Sequence, residues 1–214
     1  MAIDLKNKKV LITAGPTAVP IDSVRVITNC ATGETGILLA NSFAKLKAKV
    51  TLLLGSALVG NVESSVKIIR FEFFDELSLL LSRLLKKKYD IIIHSAAVSD
   101  YRPEFISKTK LNSNSKQMKL VLKRTPKLIE SLRKKNAAAF LVGFKFEPDF
   151  KDEQLIKKAK LLIKKAKLNL VVANTVSKNK YFAYLVSSID SSGPLTSKKA
   201  LVANLIKLAG ERAC

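Results

Sequence analysis

The sequence predicts an α/β fold: a mostly parallel sheet with helices on both faces, formed by a single domain over residues 1–214. Three observations carry that expectation. Short apolar runs bounded by turn residues alternate with stretches of helical period along the whole chain. The strand-like runs are apolar almost throughout, as strands covered on both faces are. A length of 214 residues suits one domain with a sizeable core.

The elements follow in order. Lys9 to Ala14 reads as a buried strand that ends in a Gly15-Pro16 turn. After a long loop, Gly36 opens a helix running to about Lys47. Val50 to Gly55 and Val66 to Phe71 read as strands, Asp75 to Lys88 as a helix, and Asp90 to Ala97 as a fourth strand with small residues at its carboxyl end. Tyr101 to Lys116 is rich in Ser, Asn and Lys and reads as a flexible flap. Lys119 to Lys123 alternates like a half-exposed strand, and Thr125-Pro126 starts a helix with proline at its first position. Ala139 to Glu147 is a strand, Glu153 to Lys167 an amphipathic helix, and Leu170 to Asn174 and Phe182 to Ser188 are strands. Thr196 or Ser197 caps a last helix reaching about Glu211.

Composition excludes several classes. No run approaches the ~18 to 20 apolar residues of a membrane span. Met1 to Lys9 has no apolar segment of signal-peptide type, so a cytoplasmic protein is expected. Cys30 and Cys214 form neither a disulfide framework nor a metal-ligand spacing. The net charge of +21 comes mainly from lysines in helical stretches such as Lys86 to Lys88 and Lys157 to Lys167, and these read as solvated helix faces. A nucleic-acid footprint would show arginine interleaved with aromatics, which is absent. The same basic field suits phosphorylated small substrates.

Ligands of an open parallel sheet bind beyond the carboxyl ends of its strands. Three loops there are chemically unusual. The first contains Gly15, Thr17, Asp22, Arg25, Asn29 and the Thr32-Gly33-Glu34-Thr35-Gly36 segment that opens a helix. Backbone N–H groups at such a helix start can cradle a phosphate, although neither the dinucleotide fingerprint nor the Walker pattern is present. A tight turn explains the glycines equally well. The second runs from Ser95 through Ala96, Ala97 and Asp100 to Pro103: small residues let a planar ligand lie on the backbone, and Asp100 offers a carboxylate to a ribose or a base amine or else caps a turn. The third holds Lys108 and Lys110, two cations able to close on a triphosphate or simply solvated.

In this order and spacing, these pieces resemble the phosphopantothenate–cysteine ligase family. The register includes Thr17, Ile21-Asp22, Val24-Arg25, Ile27, Asn29, Gly33 and Gly36, then Ala96 to Tyr101, Lys108-Thr109-Lys110, Thr125-Pro126, Gly143-Phe144 and Val172-Ala173-Asn174. Departures are Val19 where the pattern has Glu, Ala31 where it has Ser, Glu34 where many members have Lys, Leu111 where the lysine motif often continues with a basic residue, and Phe144-Lys145-Phe146-Glu147 where fused bacterial members have Ala-Ala-Glu-Thr. The resemblance implies a Rossmann-like fold. It also implies a Mg²⁺-dependent reaction joining 4′-phosphopantothenate to L-cysteine through an acyl-nucleotidylate, with CTP (or ATP) as the nucleoside triphosphate. It assigns Asn29 to the acyl-nucleotidylate and Lys108 and Lys110 to the phosphates, with Lys108 also catalytic. Gly15, Thr32, Gly33, Gly36, Ala96, Ala97, Asp100 and Phe144 are expected around the nucleotide, and Arg25 on the substrate. It leaves the Mg²⁺ ligands unassigned. Relatives are dimeric, so a homodimer is expected, and the flavin-dependent decarboxylase that acts next is expected on a separate polypeptide.

Two other functions fit less well. A nicotinamide-dependent reductase would need a dinucleotide fingerprint and a Tyr-x-x-x-Lys pair, and a basic nucleic-acid-binding protein would show salt-sensitive binding without turnover. Among single residues, His94 reads as a packed core histidine, Cys30 as a surface thiol without a nearby base, and Arg25 either as a phosphate ligand or as the partner of Asp22. Glu147 and Asp149 read as surface carboxylates rather than Mg²⁺ ligands.

Overall fold

The structure, a computed structural model, describes residues 4–56, 60–114, 116–149 and 151–212. The expected Cys214 lies outside these. β1 (Lys9–Ala14), β4 (Lys49–Leu54), β5 (Lys67–Arg70), β6 (Ile91–His94), β9 (Phe140–Phe146) and β10 (Leu170–Ser177) form the parallel part of an eight-stranded sheet. The spatial order is β12-β11-β10-β9-β6-β1-β4-β5, with β11 (Lys180–Val186) and β12 (Ser191–Leu195) antiparallel at one edge. The order reverses at β1, which lies between β4 and β6.

Helices α1 (Glu34–Lys45) and α5 (Lys198–Arg212) bury one face of this sheet against Phe43, Leu39, Leu201 and Leu205. On the other face, α2 (Phe74–Leu84), α3 (Leu128–Lys135) and α4 (Asp152–Ala166) contribute Leu77, Leu81, Leu132 and Leu155. The fully buried Ile91, Ile92 and Ile93 of β6 show why its run is continuous: alternate side chains feed the two cores in turn. The expected class is therefore present, and most boundaries agree within two or three residues.

The differences have local causes. The loop after β1 contains a short hairpin, β2 (Ala18–Pro20) and β3 (Val26–Thr28). It is too short for periodicity to register. The helix expected from Asp75 ends at Leu84, because the Asn136 amide takes the carbonyls of Leu85 and Lys87 and the three following lysines stay in solvent. Strand β6 stops at His94, leaving Ser95 to Ala97 as loop. The expected strand at Lys119 to Lys123 is instead β8 (Leu122–Arg124), exposed throughout and paired only with β7 (Tyr101–Pro103). Pro126 does not open α3, which starts at Leu128. Thr125 is buried and its hydroxyl donates to the Ser99 carbonyl at 2.6 Å, so it cannot cap the helix. Of the two caps weighed for α5, Ser197 acts: its hydroxyl accepts from the Ala200 N–H at 3.1 Å. Strand β12 had no expectation.

Buried polar contacts join the carboxyl ends of β1 and β6. The Thr13 hydroxyl accepts from the Ala96 N–H at 3.2 Å and lies 2.9 Å from His94 Nδ1, so its own proton is available to the ring. His94 is 6% exposed, and burial pushes it down to about 4. It is the hydrogen-bonded core histidine expected from the sequence. Its folded pKa lies below the unfolded value, so its contribution to stability is complete above about pH 6.5 and is lost as pH falls towards 4. With a single histidine in the chain, unfolding free energy is expected to fall by roughly 2 kcal/mol between pH 7.5 and pH 5 in urea titrations. That dependence is expected to vanish in His94→Gln. A flat profile in the parent protein would contradict it.

Candidate active site at the strand ends

Beyond the ends of β1 and β6 three loops are held in register. Thr17 is fully buried and its hydroxyl donates to Ser99 Oγ at 3.1 Å while accepting from the Ser99 N–H at 2.9 Å. The Ser99 hydroxyl in turn donates to the Thr17 carbonyl at 2.9 Å, and Thr125 completes the cluster through the Ser99 carbonyl. Each buried group has its partner, so the loops after β1 and β6 and the segment before α3 share one scaffold. The Ala97 N–H also donates to the Gly15 carbonyl at 2.9 Å, and the Thr17 N–H to the Ala97 carbonyl at 3.2 Å.

This scaffold gathers most of the expected residues. The Asn29 amide nitrogen donates to the Ala97 carbonyl at 2.9 Å and keeps a second hydrogen and its own carbonyl oxygen available. Gly15 has φ 82° and passes so close to Gly55 that a side chain would strain both the backbone and the contact. Gly36 lies in the first turn of α1, where an added Cβ would meet the Ala14 Cβ at 2.3 Å and the Ser95 Oγ at 3.0 Å. Only glycine lets the start of α1 sit directly against β1.

Gly33, at φ 72°, is the N-cap of α1 and provides no side-chain cap. Among the described residues Thr32 Oγ1 reaches only the Glu34 N–H, at 3.4 Å. The first turn thus presents N–H groups and positive dipole towards the gathered loops. Glu34 would oppose an anion there, but its carboxylate is ion-paired with Lys198 at the start of α5. Phe144 follows Gly143, the β9 partner of His94, and forms the adjoining wall.

Other expected residues stand apart. Asp100 is exposed and ion-paired with Lys127 at 2.5 Å, so it neither caps a turn nor stands free. Lys108 and Lys110 are exposed on the segment between β7 and β8, with no hydrogen bond or ion pair among the described residues. Arg25 pairs with Asp22 at 3.6 Å and donates to the Leu111 carbonyl at 2.8 Å, which realises the Asp22 alternative. Cys30 is an exposed thiol.

Glu147 is bridged by Lys145 at 2.8 Å and Lys158 at 3.0 Å. Burial pushes its carboxyl up, but these two ammonium groups outweigh it and hold it below the ordinary range. Among the described residues no group of three or more His, Cys, Asp or Glu could hold a metal ion, and no helix is long and apolar enough to cross a membrane.

Sequence reading gave Asn174 no role beyond its strand. It is the last β10 residue in register with β9, opposite Phe146 and on the same face as Val172, and its Oδ1 is buried without a donor among the described residues. Tyr181 on β11 has its hydroxyl in the same condition, and burial pushes it up to about 12. A polar residue following the apolar run Leu170 to Ala173, two positions beyond the β10 partner of Phe144, was the available signal for Asn174.

Residues 5–208 match the model of the DNA/pantothenate metabolism flavoprotein C-terminal domain. A coenzyme A biosynthesis bifunctional protein CoaBC from Thermococcus kodakarensis is 38% identical over 173 residues, covering 80% of this chain and 42% of that protein. Its namesake from Methanocaldococcus jannaschii is 32% identical over 209 residues, covering 94% and 50%. The chain thus spans half or less of the length of these curated relatives. Among solved structures, the DNA/pantothenate metabolism flavoprotein from Streptococcus pneumoniae superposes with a TM-score of 0.85 at 26% identity, covering 94% of this chain and 97% of that one. A Cab2 mutant in complex with phosphopantothenate-cysteine shares the fold, at TM-score 0.79 and 19% identity, covering 97% and 88%. From residue 5 to residue 208, this chain belongs to the family of the DNA/pantothenate metabolism flavoprotein C-terminal domain.

Proposed function

We propose that this chain joins 4′-phosphopantothenate to L-cysteine in coenzyme A biosynthesis, activating the carboxylate with CTP (or ATP). The observation that carries the reading is the Asn29 amide, held on the Ala97 carbonyl at 2.9 Å beside the open N-terminus of α1. The relatives named for coenzyme A biosynthesis and the Cab2 complex support the same pathway and substrates.

In this reading the substrate carboxylate attacks the α-phosphorus and pyrophosphate leaves. The cysteine amine then attacks the activated carbonyl, expelling the nucleoside monophosphate and forming the amide. Asn29 donates its second amide hydrogen to the carbonyl oxygen of the acyl-nucleotidylate, without adding charge to an anionic site. The N–H groups of the α1 first turn receive a phosphate, and Lys108 and Lys110 meet the polyphosphate as point charges. Asn174 Oδ1, unpartnered among the described residues, accepts from a nucleotide donor. Alignment of the two reactants supplies on the order of 7 to 11 kcal/mol of the barrier. Among the described residues no group of three or more His, Cys, Asp or Glu could hold the ion; Mg²⁺, which needs only one or two protein carboxylates beside substrate phosphates, would supply neutralisation of the polyphosphate charge.

Pyrophosphate release is expected to require 4′-phosphopantothenate and one of the two nucleotides. Amide product is expected only when cysteine is added, and Asn29→Ala is expected to lower turnover by about 10²-fold, the scale of one lost transition-state donor. Absence of release with either nucleotide would sink the reading.

The hairpins β2–β3 and β7–β8 and the segment between β7 and β8 expose Val24, Val26, Phe105, Ile106, Val121 and Leu122, the most exposed being Phe105 at 84%. Two-stranded sheets with free, apolar edges are liabilities in a monomer. We infer that a second copy covers them, giving a homodimer. Light scattering is expected to return twice the chain mass, falling to the chain mass in Phe105→Glu/Val121→Glu; a monomeric parent would contradict this.

A further inference from the structure

We propose that Asp22 is the positioning residue of the lysine loop: with Arg25, it pins the segment that carries Lys108 and Lys110 to the turn between β2 and β3. The Asp22 side chain is fully buried. Its Oδ1 accepts from the N–H groups of Val24 at 2.9 Å and Arg25 at 2.8 Å, which closes the local turn. A residue that only built this turn would need nothing more. Its Oδ2, however, accepts from the Leu111 N–H at 3.1 Å, a bond across 89 residues of chain. Arg25 donates to the carbonyl of the same Leu111 at 2.8 Å and reaches Ser113 Oγ at 3.4 Å.

Four residues earlier, the Ser107 N–H donates to the Ile21 carbonyl at 3.2 Å, and the Ser107 hydroxyl to the Thr109 carbonyl at 2.6 Å. Both ends of the Ser107–Leu111 stretch are therefore fastened to the Ile21–Arg25 turn, and the two lysines lie between the fastenings. Three N–H donors demand an acceptor with two free oxygens, which an ionised carboxylate supplies and an amide does not. The Val24 N–H leads the contacts that hold the carboxyl below its usual range, against the opposing effect of burial. Ordering the loop in advance reduces the entropy that gripping a polyphosphate would otherwise cost.

The inference rests on Lys108 and Lys110 acting on the nucleotide, and its first readout does not require turnover. Asp22→Asn keeps one carbonyl oxygen for the turn and loses the second acceptor. Leu111→Pro removes the cross-chain N–H and leaves Asp22 intact. Trypsin cleavage is read by mass spectrometry, after Lys108 and Lys110 in the first variant and after Lys108 in the second. It is expected to accelerate about tenfold relative to cleavage after Lys86 to Lys88, the scale of one lost charge-assisted bond, while the melting profile stays cooperative.

In turnover, Asp22→Asn is expected to raise the nucleotide KM about tenfold and to change kcat by less than about twofold. Unchanged cleavage in two cooperatively melting variants would overturn the pinning, whatever the chain catalyses. A loss confined to kcat would overturn the positioning role. Faster cleavage in a chain that releases no pyrophosphate would leave the pinning standing and remove the ligase reading instead.

Discussion

The arrangement of the site depends on one buried hydroxyl cluster. Thr17, Ser99 and Thr125 satisfy one another across three loops distant in sequence. Leaving one such buried group without its partner costs about 1 to 3 kcal/mol, a large fraction of a domain's stability. The cluster therefore fixes where the chain turns after β1 and β6. The Asn29 contact with Ala97, the proximity of Gly15 to Ala97 and the direction in which β7 departs all follow from that fixed turn.

On this scaffold the electrostatics are provided more by backbone than by side chains. The α1 N-terminus can approach β1 because Gly36 leaves room, and it stays open because Gly33 supplies no cap. Glu34, which would repel a phosphate there, is neutralised by Lys198 from the far end of the chain. The lysine cations are kept on a separate, pinned arm. Fixed dipoles at the strand ends and point charges on a loop suit a reaction in which one anion must approach another and a third must leave.

Much of this was legible in the sequence. Buried strands such as Lys9 to Ala14 and Ile91 to His94 announce themselves by continuous apolar runs, because both faces of the sheet are covered. His94 was readable as a core residue because it has no partner motif and sits inside such a run. The expected cluster of Asn29, Gly36, Ala96 and Ala97 rested on motif order, and the topology brings it together. What escaped reading had no periodic signature. The hairpin at Ala18–Pro20 and Val26–Thr28 is only three residues a side, and Thr125 looks like a helix start until its hydroxyl is found spent on Ser99. Arg25 pairs with Asp22 as one reading had it, but its contact with the Leu111 carbonyl, 86 residues away, left no trace in the sequence pattern.

The central claim is that the substrate carboxylate is activated at the α-phosphorus. It is tested most directly with 4′-phosphopantothenate carrying ¹⁸O in both carboxylate oxygens. If an acyl-nucleotidylate forms, one labelled oxygen leaves with the nucleoside monophosphate and the other stays in the amide carbonyl. Label appearing instead in orthophosphate, with a nucleoside diphosphate as co-product, would place the attack at the γ-phosphorus and contradict the proposed chemistry.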